Sequence, residues 1–194
     1  MSESRVVDTD KGWRALFDAV KTMRGEQYVK VGVLGDSSLG GMHKTEPDGK
    51  ASPLTTAEIA AVNEYGTKDG RIPARPAFRG TFDRLREPLL GDFAKLLVEA
   101  LRGELSTEAI FDVLGMKLAA EIRKTITTGT GVPPPNAPST LREKLAHGTT
   151  KSAKALGATA RTLVDTGAEI AAISWALVRG GKQGEATYLA KGGK

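Results

Sequence analysis

The sequence predicts an α+β domain in which a small, mostly antiparallel sheet is packed by two or three long helices, with long loops projecting from it. Residues 28–35 and 173–178 are short segments rich in β-branched side chains, as is typical of strands. Residues 78–100 and 106–127 repeat apolar side chains at helical spacing. No internal repeat or clear boundary divides the chain, so we expect a single domain over residues 1–194.

The N-terminal quarter of the chain predicts a helix, a strand and a loop. Residues 10–24 form an amphipathic pattern whose apolar positions are Trp13, Leu16, Phe17, Val20 and Met23. The segment YVKVGVLG (28–35) alternates and predicts a strand. Residues 36–54 combine Gly, Ser, Asp and Pro, which predicts a long loop, and loops of this length are often functional. We therefore expect contacts with partners at Leu39, Met42 and His43.

A second helix is predicted to start at a capping box and to end at a glycine. Thr55 and Glu58 have the spacing at which side chain and backbone cap each other. We expect this helix to bury Ile59, Val62 and Tyr65, and to end at Gly66, which is free to adopt a left-handed conformation. We expect Asn63 and Glu64 to satisfy the backbone of the turn that follows.

A stiff connector is predicted between this helix and the next. Pro73 and Pro76 push the residues before them into extended conformations, and Pro76 suits the first turn of a helix. Arg71 and Arg75 are held on this connector, and a guanidinium so placed is pre-organised for a carboxylate on a neighbouring subunit. The alternative is an ion pair within the chain.

Two long helices are predicted in the middle of the chain. The apolar positions of the first are Phe78, Phe82, Leu85, Leu89, Phe93, Leu96 and Ala100. Pro88 lies inside it and predicts a kink or a break near residues 84–87. The second covers residues 106–127, with Ser106 as its cap. Its predicted buried positions are Phe111, Leu114, Leu118, Ile122 and Ile126.

The C-terminal third begins with a proline-rich stretch. Pro133, Pro134 and Pro135 favour an extended polyproline arm within a loop that covers residues 128–160. Asp165, Thr166 and Gly167 predict a turn or a helix cap, because Asp and Thr side chains bond nearby amides.

After this turn we expect one turn of helix and then the strand ISWALV (173–178), with Trp175 as its bulkiest buried side chain. A further short strand at residues 186–189 and a flexible tail complete the chain.

Composition narrows the possible functions. The chain has no Cys and only two His, at positions 43 and 147, so we expect neither a metal site nor a cofactor. No apolar run approaches the ~18–20 residues that span a bilayer, so we expect no membrane segment and folding in the cytoplasm. The net charge of +5 leaves a basic DNA-binding accessory protein as an alternative, although aromatic residues are sparse.

Catalytic motifs are also incomplete. The segment GDSSLGGM (35–42) follows a strand, as phosphate-binding loops do, but it lacks the Gly-Lys-Ser/Thr ending. The neighbouring carboxylates, which include Glu58, Glu64, Asp83 and Glu87, are explained by helix capping, ion pairs and solvated faces. We therefore predict that the chain is not an enzyme; a small hydrolase working from residues 35–43 is the weaker alternative.

Three stretches together resemble a known family. They are IAAVNEYGTKDGRIPARPAFRGTFD (59–83), GVPPPNAPSTLREK (131–144) and LVDTGAEIAAISWALV (163–178). Their order and spelling resemble the neck and tail-completion proteins of tailed bacteriophages, also called head–tail joining or minor tail components. The matching motifs are Asn63–Thr67, Ile72–Phe78 and Leu163–Gly167, and the resemblance spans residues 28–180.

The resemblance implies a structural virion protein, assembled in the host cytoplasm and located in the neck or tail. Such a protein forms a homo-oligomeric ring, expected to be a hexamer, around the path of the genomic DNA. Its partners would be the head-closure (connector) protein and the tail terminator or tail tube protein. The expected contact regions are residues 36–54, the connector Arg71–Arg75 and the arm Pro133–Pro135.

Overall fold

The computed structural model describes most of the chain outside its termini and two long segments. The described residues are 12–23, 25–34, 42–44, 51–129, 132–135, 137–139, 168–184 and 187–188. The helices are α1 (Trp13–Met23), α2 (Thr56–Tyr65), α3 (Ala77–Leu101), α4 (Thr107–Thr128) and α5 (Ala168–Ala172). The strands are β1 (Gln27–Val33), β2 (Met42–Lys44), β3 (Ala51–Thr55), β4 (Ile173–Arg179), β5 (Lys182–Gln183) and β6 (Thr187–Tyr188).

The main sheet is antiparallel and is organised around β4. Strand β1 pairs along the whole of β4, with Val31 opposite Trp175, and β5 and β6 pair with the other edge of β4. Residues 173–176 are buried without alternation, as expected of a strand covered on both faces. The predicted α+β class is therefore confirmed, with the two predicted strands adjacent although they are far apart in sequence.

The core lies between this sheet and the helices α3 and α4. Helix α4 lies close to the sheet at Gly115, where an added Cβ would lie 2.6 Å from Trp175 Cδ1 and 2.9 Å from Val29 Cγ2. Ring nitrogen Nε1 of Trp175 donates to Asp112 Oδ1 at 2.6 Å. The principal buried apolar side chains are Leu85, Ile110, Leu118, Ile122, Ile126, Val132, Ile173, Trp175 and Val178.

The predicted long loop over residues 36–54 is wrong in part. Within it, β2 and the start of β3 form an antiparallel ribbon, with Met42 opposite Thr55 and Lys44 opposite Ala51. This pairing joins segments of three and five residues with mixed polarity, which are too short for an apolar period to reveal them in the sequence. The remainder of the predicted loop, including Leu39, lies outside the described residues.

Of the kink or break predicted near residues 84–87, the break is wrong. Helix α3 runs continuously from Ala77 to Leu101 with Pro88 inside it. Pro88 is exposed, and the packing of α3 against α4 stabilises both halves as one helix. The other helix boundaries follow the sequence closely, because their caps are local. Thr55 and Glu58 form the predicted capping box, and Ser106 Oγ accepts from Ala109 N at 3.2 Å.

Candidate docking surfaces and the junction that supports them

Glu64 is buried and caps the N-terminus of α3. Its two carboxylate oxygens accept from the backbone nitrogens of Phe78 and Arg79, at 3.0 and 2.9 Å. The guanidinium of Arg79 adds an ion pair at 3.1 Å. Pro76, predicted in the first turn, is instead the residue before the helix, where it has no capping side chain of its own. Glu64 therefore supplies the acceptor that stabilises the first amides of α3.

Gly66 allows the chain to turn back on itself after α2. Its φ of 74° lies in the region that favours glycine, as the sequence predicted. A Cβ at this position would lie 2.7 Å from Ala74 N and 2.8 Å from Ile72 O. The connector between α2 and α3 therefore packs directly against the end of α2, with Pro73 half-buried in it.

Asn63 joins three parts of the chain. Its backbone oxygen accepts from Arg75 N at 2.8 Å, which fixes the connector. Its side-chain amide donates to Glu169 Oε2 in α5 at 3.0 Å. Burial raises the pKa of Glu169 to about 7, and the nearby charge of Glu64 acts in the same direction. We refer to Asn63, Glu64, Gly66, Arg75 and Glu169 as the junction.

Tyr65 is not in the core, contrary to the prediction. Its side chain is 66% exposed, and the guanidinium of Arg79 lies 4.9 Å from the centre of its ring. Tyr65 is exposed because its neighbour Glu64 is the residue of α2 whose side chain points inward and caps α3. A helix cannot direct two successive side chains to the same face.

The two connector arginines have different surroundings. Arg71 forms an ion pair with Asp69 at 3.2 Å, and its side chain is 88% exposed. Arg75 instead donates to the backbone oxygens of Pro134 and Pro135, at 3.1 and 3.5 Å. Arg75 therefore holds the proline-rich stretch against the connector. The ion pair within the chain that was the alternative is present for Arg71, whereas Arg75 bonds to backbone oxygens and not to a carboxylate.

The other predicted contact residues are spread over the molecule. Pro133, Pro134 and Pro135 are exposed beside the connector. Met42 and His43 belong to β2, on the ribbon. Leu39 and the predicted turn Asp165, Thr166 and Gly167 lie outside the described residues. The connector and the proline-rich stretch are thus brought together, and the ribbon is joined to them through α2.

An apolar groove lies between α3, α4 and β1, and no sequence pattern predicted it. Its volume is about 440 Å³, and Arg86 is the one charged side chain among its lining residues. Phe82 and Leu90 line it and remain 47% and 53% exposed. The helical spacing of α3 predicted that Phe82 would be buried. This side chain stays exposed instead, because spacing alone does not show how wide a face of the helix a neighbouring element covers.

The apolar face of α1 is exposed as well. Trp13 is 63% exposed and Phe17 is 67% exposed, with their ring centres 5.9 Å apart. Val20, one turn further along, is 42% exposed. Exposed apolar side chains that adjoin one another mark interaction sites more often than isolated ones do.

Many basic side chains on α3 and α4 are matched by carboxylates. Arg84 and Lys124 both lie near Glu121, Lys117 pairs with Asp92, and Arg79 pairs with Glu64. On β4, Arg179 pairs with Glu108. These pairs neutralise much of the positive charge along the described helices, so the net charge of +5 is not presented there as a continuous basic face.

Comparisons with known proteins do not assign this chain to a family. A scan against family models, a search of curated proteins and a search of solved structures each returned no match. Within the described ranges, no three His, Asp or Glu side chains are grouped so as to hold a metal ion. In the same ranges, no helix combines the length and the apolar character needed to cross a bilayer.

Proposed function

We propose that this chain is a structural component of a tailed-bacteriophage neck or tail end. It would form a homo-oligomeric ring that completes the tail and joins it to the DNA-filled head. In this role the chain works by binding its own copies, a head-closure protein and a tail terminator or tail tube protein. Its location would be the virion, with the ring surrounding the path of the genome.

The observation that carries this proposal is the convergence of the three family-like stretches at the junction. The stretch 59–83 contributes Asn63, Glu64 and Arg75, the stretch 131–144 contributes the Pro134 and Pro135 oxygens, and the stretch 163–178 contributes Glu169. Motifs that are separate in sequence therefore have one structural purpose, which is to hold α2, α3, α5 and the proline-rich stretch in fixed relation.

The exposed apolar surfaces support a role in assembly. The face of α1 and the groove between α3, α4 and β1 together present aromatic side chains to solvent. Aromatic side chains in such positions contribute strongly to protein–protein association. A ring component needs surfaces of this kind on each copy, and it needs no catalytic group.

The test is complementation of a phage mutant that lacks the chain. Purified protein is added to a mutant lysate that contains filled heads and separate tails, and infectious particles are counted. We expect rescue, with joined particles visible by electron microscopy; lysate without added protein is the control. Failure to rescue with folded protein would overturn the proposal.

The alternative function is that of a DNA-binding accessory protein. The two functions are distinguished by measuring binding of the purified chain to duplex DNA at 50 and 200 mM salt. Affinity that is tight at low salt and falls steeply with salt, together with no rescue, would favour that function. The ion pairs on α3 and α4 lead us to expect weak binding.

A further inference from the structure

Helix α5 is attached to the rest of the molecule at two places that differ in chemistry. At its C-terminal end it continues directly into β4, and Nη2 of Arg123 in α4 donates to the backbone oxygens of Ala171 and Ile173, at 3.5 and 3.3 Å. Nearer its start, the side chain of Glu169 accepts from the Asn63 amide of α2 at 3.0 Å. The first attachment uses backbone oxygens, which do not titrate, whereas the second uses a carboxyl group, which does.

The surroundings of Glu169 suit a neutral carboxyl better than an ionised one. The residue is 8% exposed, and its Oε1 atom is buried with no hydrogen-bond partner among the described residues. An ionised carboxylate spreads its charge over two oxygens that both accept hydrogen bonds. Burial of that charge beside the neutral amide of Asn63 is therefore unfavourable.

Glu64 is buried in the same junction and has the opposite character. Its oxygens accept from the backbone nitrogens of Phe78 and Arg79, and from the Arg79 guanidinium at 3.1 Å. These donors stabilise the negative charge of Glu64. That charge in turn opposes the ionisation of Glu169, so the junction holds one charged carboxylate and disfavours a second.

Helix α5 also packs against α4 and β1, which contribute two cations. On α4 the cation is Arg123, whose guanidinium donates to backbone oxygens at the end of α5. On β1 the charged residue is Lys30, which is exposed and lies opposite Ala176, three positions along β4 from the end of α5. The printed hydrogen bonds of Glu169 thus come from α2 alone, through Asn63.

We propose that Glu169 is a pH-dependent latch that holds α5 against α2. The neutral carboxyl keeps the latch closed. When its proton passes to water, a local opening in which Glu169 leaves the junction for solvent becomes more favourable. The Arg123 bonds and the pairing of Ile173 with Val33 retain the other end of α5, so the opening stops at the start of β4. This inference goes beyond the proposed function and does not depend on it.

The direction of the pH effect follows from the two environments of the carboxyl. Burial raises the pKa of Glu169 from 4.5 to about 7 in the closed arrangement, and the charge of Glu64 acts in the same direction. In the open arrangement the group is solvated and its pKa returns toward the ordinary value. Between these values the open form binds fewer protons, so opening becomes about tenfold more favourable per pH unit. The total rise is about 300-fold and is complete above about pH 7.

Hydrogen exchange of the purified full chain, followed by mass spectrometry, tests the latch. Protection in residues 168–172 is compared with protection in the α4 segment 116–123 from pH 5 to 8, after correction for the intrinsic exchange rate at each pH. We expect protection in α5 to fall about 70-fold over this range, mostly below pH 7. It should be at least about 30-fold lower than in α4 and unchanged by 1 M urea, because a local opening exposes little surface.

Two substitutions separate the latch from a general effect of charge. Glu169→Gln cannot ionise and should remove the pH dependence of α5 protection. Glu87→Gln changes an exposed carboxyl of α3 and should keep the wild-type profile. Protection of α5 that is independent of pH in the wild type, or pH dependence that persists in Glu169→Gln, would overturn the proposal.

Two further outcomes bear on the latch without relying on the folding of a variant. If protection of α5 equals that of α4 and falls with urea in step with it, only the whole molecule unfolds and the latch is excluded. Carbon NMR of the Glu169 carboxyl in the wild type gives its titration directly. A midpoint near pH 7 supports the latch, and one near the ordinary value of about 4.5 contradicts it. Neither measurement involves a phage, so failure of the latch leaves the proposed function unaffected.

Discussion

At the scale of single residues, the buried carboxyl of Glu169 is the most unusual group among the described residues. One oxygen accepts from Asn63, and the other is buried with no hydrogen-bond partner in the described structure. Burial is the main reason that its pKa is raised from 4.5 to about 7, and the charge of Glu64 adds to it. The folded state therefore favours the neutral form of this side chain.

The sign of the pH effect follows from the raised pKa. Below about pH 4.5 the carboxyl is protonated in both folded and unfolded chains, so its ionisation costs no stability. As pH rises from about 4.5 to 7, the unfolded chain ionises first and folding loses free energy. A difference from 4.5 to about 7 corresponds to a loss of about 3 kcal/mol, which stays constant at higher pH.

We predict that Glu169→Gln stabilises the protein above neutral pH by about 3 kcal/mol and has little effect near pH 4. The amide cannot ionise, so the cost of burying a charge is removed. The measurement is chemical denaturation of both proteins at pH 4, 6 and 8. A difference that does not change with pH would contradict the raised pKa.

Glu58→Gln is the control with the opposite sign. Hydrogen bonds from Thr55 lower the pKa of Glu58, so its ionised form is the one that the fold stabilises. That contribution is present above the unfolded pKa and is lost as pH falls through the lowered value. The Gln variant should therefore be less stable than the wild type at neutral pH and approach it in acid.

At the scale of elements, the contact between α4 and the sheet depends on the absence of a side chain at Gly115. Glycine is normally unfavourable inside a helix, by about 0.5–1 kcal/mol relative to alanine. Here an added Cβ would overlap the ring of Trp175, which is itself fixed in the core and bonded to Asp112. The close approach of α4 to β1 and β4 therefore requires this glycine.

We predict that Gly115→Ala destabilises the protein by about 1–3 kcal/mol, because overpacking outweighs the gain in helix propensity. The matched control is Gly91→Ala in α3, where an added Cβ meets nothing within 4 Å. That change should stabilise by about 0.5–1 kcal/mol. Thermal and denaturant unfolding of both variants gives the comparison, and stabilisation by Gly115→Ala would contradict the packing described.

At the scale of the whole molecule, Arg75 connects parts of the chain that are distant in sequence. Its backbone nitrogen bonds to Asn63 in α2, and its guanidinium bonds to the Pro134 and Pro135 oxygens beyond α4. Partial burial lowers the pKa of this guanidinium. The proline-rich stretch is therefore held by one side chain of the connector.

We predict that Arg75→Ala lowers the free energy of unfolding by about 1–2 kcal/mol, since hydrogen bonds from a charged donor to backbone oxygens are lost. It should also speed proteolysis within residues 132–139, which limited digestion and mass spectrometry would detect. Arg71→Ala is the matched control on the same connector, and its exposed ion pair predicts unchanged stability. Equal behaviour of the two variants would contradict the role of Arg75.

Much of the fold was predictable because its signals are local. The period of the apolar residues located α3, α4 and β4, and the spacing of Thr55 and Glu58 located the start of α2. The ribbon of β2 and β3 was not predictable in this way, since segments of three and five residues with mixed polarity are too short to show a period. The positive φ of Gly66 was predicted, because glycine commonly follows the last residue of a helix.

The sequence by itself determined the class of the fold, the long helices, the caps of α2 and α4, and the two apolar strands of the main sheet. Only the tertiary structure decided which apolar residues stay exposed, as at Trp13, Phe82 and Leu90. It also decided that Glu64 caps a helix in the next element and that Glu169 is buried beside it. The physical reason is that burial and capping depend on neighbours supplied by distant segments, whereas periodicity depends only on the segment itself.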